Sequence, residues 1–116
     1  MDLVHFFFKL GTEVKLFHWQ TPSYAQHVAS DKLHTTLLAL IDQFMEVYQA
    51  KYGRVHSNEP ELKFSIKQRD LKSMIGFLSR SIDFLNNLSV KDSDLLNIRD
   101  EIVGAINQTI YLFSFN

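Results

Sequence analysis

Cysteine is absent from the 116 residues, which excludes disulfides, thiolate metal ligands, thiol nucleophiles and zinc-finger chemistry together. The absence fits a reducing compartment. Proline occurs twice and glycine four times, at points where helical patterns start, pause or stop, so an all-helical chain is favoured over a turn-rich β one. Charge of one sign is not in excess. Twelve Lys+Arg stand against 13 Asp+Glu, a net charge of -1, and nothing suggests neutralisation of a phosphate backbone. There is also no long apolar run. Leu3, Val4 and the three phenylalanines at 6–8 are interrupted by His5 and Lys9, and no small-residue cleavage site follows. Neither a signal peptide nor a membrane span is expected, and a soluble cytoplasmic protein is. What the chain does have is 46% hydrophobic residues, enough for a single domain over residues 1–116 but with little core to spare for a large enclosed cavity. Any reactive site should be shallow or shared.

Four helical segments emerge. The first covers about residues 2–20, with Val4, Phe7, Phe8, Gly11, Val14, Phe17 and His18 at three- and four-residue spacings. Thr21-Pro22-Ser23 supplies the next start signal, through Thr21 with Pro22 or through a Ser23/Gln26 capping box. The second helix should then run to Lys51 or Tyr52 and stop at Gly53, roughly 29 residues and about 43 Å. Residues 54–63 read as the main loop, and residues 64–87 as a third helix through Ile66, Leu71, Met74, Ile75, Leu78, Ile82 and Leu85. Asp92 or Ser93 caps the fourth, whose face is Leu95, Ile98, Ile102, Ala105, Ile106, Thr109 and Phe113. The expected fold class is all-α: an antiparallel four-helix bundle with a crossover between helices two and three.

The second helix has two faces. With about 100° of rotation per residue from His27, the apolar Leu33, Leu37, Leu40, Ile41, Phe44, Val47 and Tyr48 span about 200–320°. His27, Asp31, Asp42 and Glu46 fall between about 0° and 100°, with His34 at about 340°, beside the core stripe rather than on it. Val28, Leu38 and Met45 share that second stripe, which suggests contact with another subunit. His27/Asp31 and Asp42/Glu46 are each four apart and can each converge on one ion, but the pairs lie about 22 Å apart along the helix. Two copies packed antiparallel about a two-fold axis near Thr36 and Leu37 would join one chain's first pair to the other's second, making two equivalent sites. His18 could add an imidazole at the His27/Asp31 end, and the mixed oxygen and nitrogen set suits iron, manganese or zinc.

The stretch FHWQTPSYAQHVASDKLHTTLLALIDQFMEVYQAKYGR, beginning at Phe17, resembles the ligand-bearing first two helices of the Dps-like miniferritins of the ferritin-like superfamily. His18-Trp19 resembles that family's His-Trp at the end of its first helix. Tyr24 takes the place of an aromatic residue in the turn. His27, Asp31, Asp42 and Glu46 match the family spacing of His, three residues, Asp, ten residues, Asp, three residues, Glu. The resemblance implies a short miniferritin, of a kind found also in viruses and phages. It implies a di-iron centre at a dimer interface, with His18, His27 and Asp31 from one subunit and Asp42 and Glu46 from its partner, and zinc or manganese as surrogates. The implied activity is oxidation of Fe(II) by hydrogen peroxide or oxygen, a ferroxidase reaction that detoxifies both reactants and can store iron. The implied assembly is a homo-oligomer, at least a dimer through helix two.

No Lys/Arg-rich tail flanks the helices, so DNA binding is not carried over. The alternative function is a structural or virion-associated helical assembly protein that keeps the fold without turnover. Asp31 is expected either to ligate directly or to orient the His27 ring from one turn away. Trp19 is read as a buried residue holding the helix end, His34 as a polar interface residue, and His5 and His56 as solvent-facing. Arg54, Arg69, Lys72 and Arg80 read as ordinary solvated charges, and the phenylalanines at 6–8 as core plus a subunit contact.

Overall fold

Each helix begins where a side chain or a change of backbone angle allows it. In the computed structural model, which describes residues 1–115, Asp2 caps α1 (Leu3–Gln20) by accepting from the His5 backbone N–H at 2.9 Å. Ser23 caps α2 (Tyr24–Tyr52), accepting from the Gln26 N–H at 3.3 Å. The Gln26 side chain does not reach back to Ser23 as a capping box would; it takes the Thr21 hydroxyl at 2.9 Å. Gly53 ends α2 at φ +87°, a conformation that favours a residue without Cβ. Asp70 caps α3 (Leu71–Asn86) through the Ser73 N–H at 2.7 Å. Asp92 precedes α4 (Ser93–Leu112) without a side-chain capping bond, because its carboxylate is taken by Tyr52 and Lys51.

The four helices pack around one apolar cluster, and the described residues include no strand. Leu10, Val14, Phe44, Met74, Leu78, Leu85, Leu95, Ile102 and Ile106 are fully buried within it. On α2 the expected stripe faces this cluster, with Leu33, Leu37 and Phe44 buried and Leu40, Ile41, Val47 and Tyr48 packed at its edge. On α4 the expected face holds throughout, Ala105 alone being half-buried. On α1 the stripe is turned from the expected one: Phe6, Phe7, Leu10, Val14 and Phe17 face inward, while Phe8 is 64% exposed and Gly11 half-exposed.

The third helix is the main departure from expectation. It starts at Leu71 rather than residue 64, so the connection from α2 covers residues 53–70 instead of 54–63. The reason is reach. Ser57 Oγ and Asn58 N donate to the Asp2 carboxylate (2.6 and 3.2 Å) at the start of α1. At the other end of α1, Gln20 donates to the Ile66 carbonyl (2.9 Å) and Gln68 to the Gln20 carbonyl (3.0 Å). An 18-residue helix is about 27 Å long. Eight residues between Asn58 and Ile66 cover that span only when nearly extended, at about 3.4 Å each. A helical start at residue 64 would leave the chain short, and Ile66, assigned to the helix by its spacing, is instead 73% exposed in the connection.

Candidate metal centre

The turn between α1 and α2 brings two histidines face to face. His18, buried at the end of α1, stacks on His27 in the first turn of α2, with ring centroids 4.0 Å apart and planes at 22°. Each ring's Nδ1 lies 2.8 Å from the other residue's backbone carbonyl. A carbonyl can only accept, so each ring donates from Nδ1, and in the neutral imidazole that tautomer carries its lone pair on Nε2. A ring nitrogen held by a backbone carbonyl is one of the ways in which metal-binding imidazoles are oriented. This reciprocal clasp also corrects one expectation: Asp31 does not orient His27, since the His18 carbonyl already does.

Asp31 sits against His18 instead, its Oδ1 3.7 Å from His18 Nε2. Two donors each about 2.1 Å from one ion would stand about 3.0–3.4 Å apart, so a small adjustment closes this pair on a cation. Ser30, fully buried on α2, donates its one hydroxyl proton to the Gln26 carbonyl (2.7 Å), and the His27 carbonyl, which accepts from His18, lies 3.2 Å from the same hydroxyl. Sequence reasoning missed Ser30. A serine three and four residues after helical carbonyls is the signal that could have found it.

Asp42 and Glu46 are both exposed on the outer side of α2, as their rotation predicts, and neither takes part in an ion pair among the described residues. The structure therefore joins His18 to His27 and Asp31, and leaves Asp42 and Glu46 apart from them. No group of three or more metal-competent side chains is assembled within the chain among the described residues.

Beside these residues an open apolar groove of about 710 Å³ runs between α1 and α2. Phe8, Gly11, Lys15 and Trp19 line it from α1, His34, Leu38, Asp42 and Met45 from α2, and Phe64 and Ile66 from the connection. Trp19, expected to be buried, is 68% exposed here, with Lys15 Nζ 5.8 Å above its ring. His34 is half-buried, and burial first, with Lys15 next, holds its pKa below the usual 6.5 against the opposing pull of Asp31.

Two other polar residues depart from expectation. His5 is not solvent-facing: its side chain is 10% exposed, with Nε2 3.5 Å from Glu59 and Nδ1 buried without a partner. Arg69 is not an ordinary solvated charge. It donates to the buried Glu13 carboxylate at 2.8 Å and to Ser73 at 3.0 Å, and its guanidinium lies 4.9 Å over the Phe77 ring. His56 is exposed, as expected.

Residues 18–113 match a family described as "Family of unknown function (DUF5856)", and the chain belongs to that family. All five candidate ligands lie within the matched span, which opens at His18. No curated protein and no solved structure matches the chain. No helix among the described residues is long and apolar enough to cross a membrane.

Proposed function

We propose that the chain is a Dps-like miniferritin of ferritin-like topology. It takes Fe(II) as substrate at a site shared between two copies and oxidises it with hydrogen peroxide or oxygen. The observation that carries this reading is the His18/His27 clasp, because two imidazoles with Nδ1 spent on carbonyls and Nε2 left free, beside a carboxylate, are equipped to bind a metal ion. The connection that touches α1 at both ends is also what an end-to-end crossover requires.

The residues divide the work by their chemistry. His18, His27 and Asp31 supply a mixed nitrogen and oxygen half-site suited to Fe(II), while Asp42 and Glu46 of the second copy supply hard anionic oxygens that favour Fe(III). Two ferrous ions give up one electron each. Hydrogen peroxide accepts both, and with two protons leaves as two waters, so that no free hydroxyl radical is formed. Asp31, Asp42 and Glu46 are all exposed on α2, and His18 is the one buried side chain that the site draws on.

An anaerobic Fe(II) titration of metal-free protein followed by a peroxide pulse tests the proposal. Saturation near two irons per shared site, with rapid rise of ferric absorbance lost in Glu46→Ala and His27→Ala, is the expected result. Binding no stronger than a buffer control would remove the iron reading and leave a helical scaffold.

A further inference from the structure

A second cleft, of about 240 Å³, opens between α1 and α3 and shares no lining residue with the α1/α2 groove. Its floor is aromatic. Phe6 of α1 stacks on Phe84 of α3 with centroids 3.9 Å apart and planes at 16°, and Phe77 lines the same cleft. Phe6 meets Phe84 near the start of α1 and the end of α3, and further along α1 Glu13 meets Arg69 just before α3 begins, so the two helices run antiparallel. Lys9 is three residues after Phe6, and Arg80 four before Phe84. Both therefore stand one turn inward from the stack, level with each other across the cleft. Neither forms an ion pair among the described residues.

Arg80 lies back along its own helix. Its Nη1 would be 3.3 Å from a Cβ at Gly76, so the glycine one turn earlier gives the guanidinium its room. Arg69, with its guanidinium 4.9 Å over the Phe77 ring, is the third cation lining the cleft, and no carboxylate lines it. Glu13 pairs with Arg69, Asp2 is taken by Ser57 and Asn58, and Asp83, exposed on α3, forms no ion pair with Arg80. Three cations against the Glu13 carboxylate leave two positive charges above aromatic rings. Lys9 and Arg80 repel each other across the opening, and a dianion between them turns that repulsion into two attractions. We infer that the α1/α3 cleft binds a small phosphate monoester carrying a planar ring, its phosphate between Lys9 and Arg80 and its ring against the half-buried Phe84. A guanidinium fork takes two phosphate oxygens at once, an ammonium takes another, and ring stacking adds to both. Sites for drug-sized ligands occupy roughly 300–1,000 Å³, so a cleft of about 240 Å³ suits one ring and its phosphate. The inference goes beyond the proposed function and does not rest on iron.

Titration of the metal-free full chain with phenyl phosphate, followed by amide NMR shifts, tests it. One ligand should bind per chain, with the largest shifts around Lys9 and Arg80. It should bind about fivefold to tenfold more tightly than inorganic phosphate, which lacks the ring, or benzoate, which lacks the second charge. Lys9→Gln and Arg80→Gln should each weaken binding about tenfold, with helical circular dichroism unchanged. Lys72→Gln removes an exposed α3 charge outside the cleft and should leave binding as it is. No saturation, inorganic phosphate or benzoate binding as tightly as the ester, or an equal loss in Lys72→Gln would overturn the inference. Saturable ester binding by a chain that oxidises no iron would uphold it while removing the proposed function, and iron oxidation by a chain that binds no ester would do the reverse.

Discussion

Removing the Arg69 side chain should cost more than removing Arg69 and Glu13 together. Glu13 is 3% exposed on α1, and its carboxylate has one ion-pair partner among the described residues, Arg69 Nε at 2.8 Å. Arg69→Met keeps the hydrophobic stem but leaves a buried carboxylate without its cation, and it also ends the stacking on Phe77. Stranding one member of a buried ion pair typically costs about 3–5 kcal/mol. The Arg69 side chain is 26% exposed, so water reaches the pair and about 3 kcal/mol is the appropriate expectation. In Glu13→Gln/Arg69→Met no charge is stranded, and a loss of about 1 kcal/mol is expected. Urea unfolding of the four members of the cycle, followed by circular dichroism, measures both numbers and their coupling. The connection over residues 53–70 should also loosen in Arg69→Met, visible as faster amide exchange there. Equal destabilisation by the single and double variants would refute the assignment of Glu13 as a buried, Arg-dependent charge.

Three further outcomes follow from the packing and the site. Phe44→Ala removes a fully buried ring packed edge-on against Phe7 and should cost about 3–5 kcal/mol in chemical denaturation. Asp42→Ala and Glu46→Ala should change stability by less than about 0.5 kcal/mol in the same assay, because both side chains are exposed, while iron oxidation is lost. His34 has a depressed pKa in the fold, so the unfolded chain takes up its proton first. Stability should therefore fall as pH drops through the usual 6.5 and level off once the folded imidazole is also protonated. His34→Gln should flatten that part of the stability-against-pH curve relative to wild type.

Much of the helical frame was legible from local signals. Ser23 and Gly53 mark helix ends by chemistry that acts within a few residues, and the stripe from Leu33 to Tyr48 follows from helical rotation alone. The same rotation correctly places Asp42 and Glu46 outside the core. The candidate site was legible only as a spacing. That His18 and His27 clasp each other depends on how tightly the 21–23 turn folds α2 back on α1, and a spacing of nine residues does not state that.

What the sequence by itself determined was the approximate extent of α1, α2 and α4 and the apolar faces of α2 and α4, because caps, periodicity and side-chain size act within one or two turns. Only the tertiary structure decided the start of α3, since the distance between the two ends of α1 dictates how much chain must stay extended. It also decided the fates of His5, Glu13 and Arg69, polar residues whose burial depends on partners 54 and 56 positions away. Trp19 shows the same limit from the other side. Its size suggests burial, but its position on the outer edge of the α1/α2 pair puts it in an open groove, and which wall a helix turns to its neighbours is a property of the packed whole.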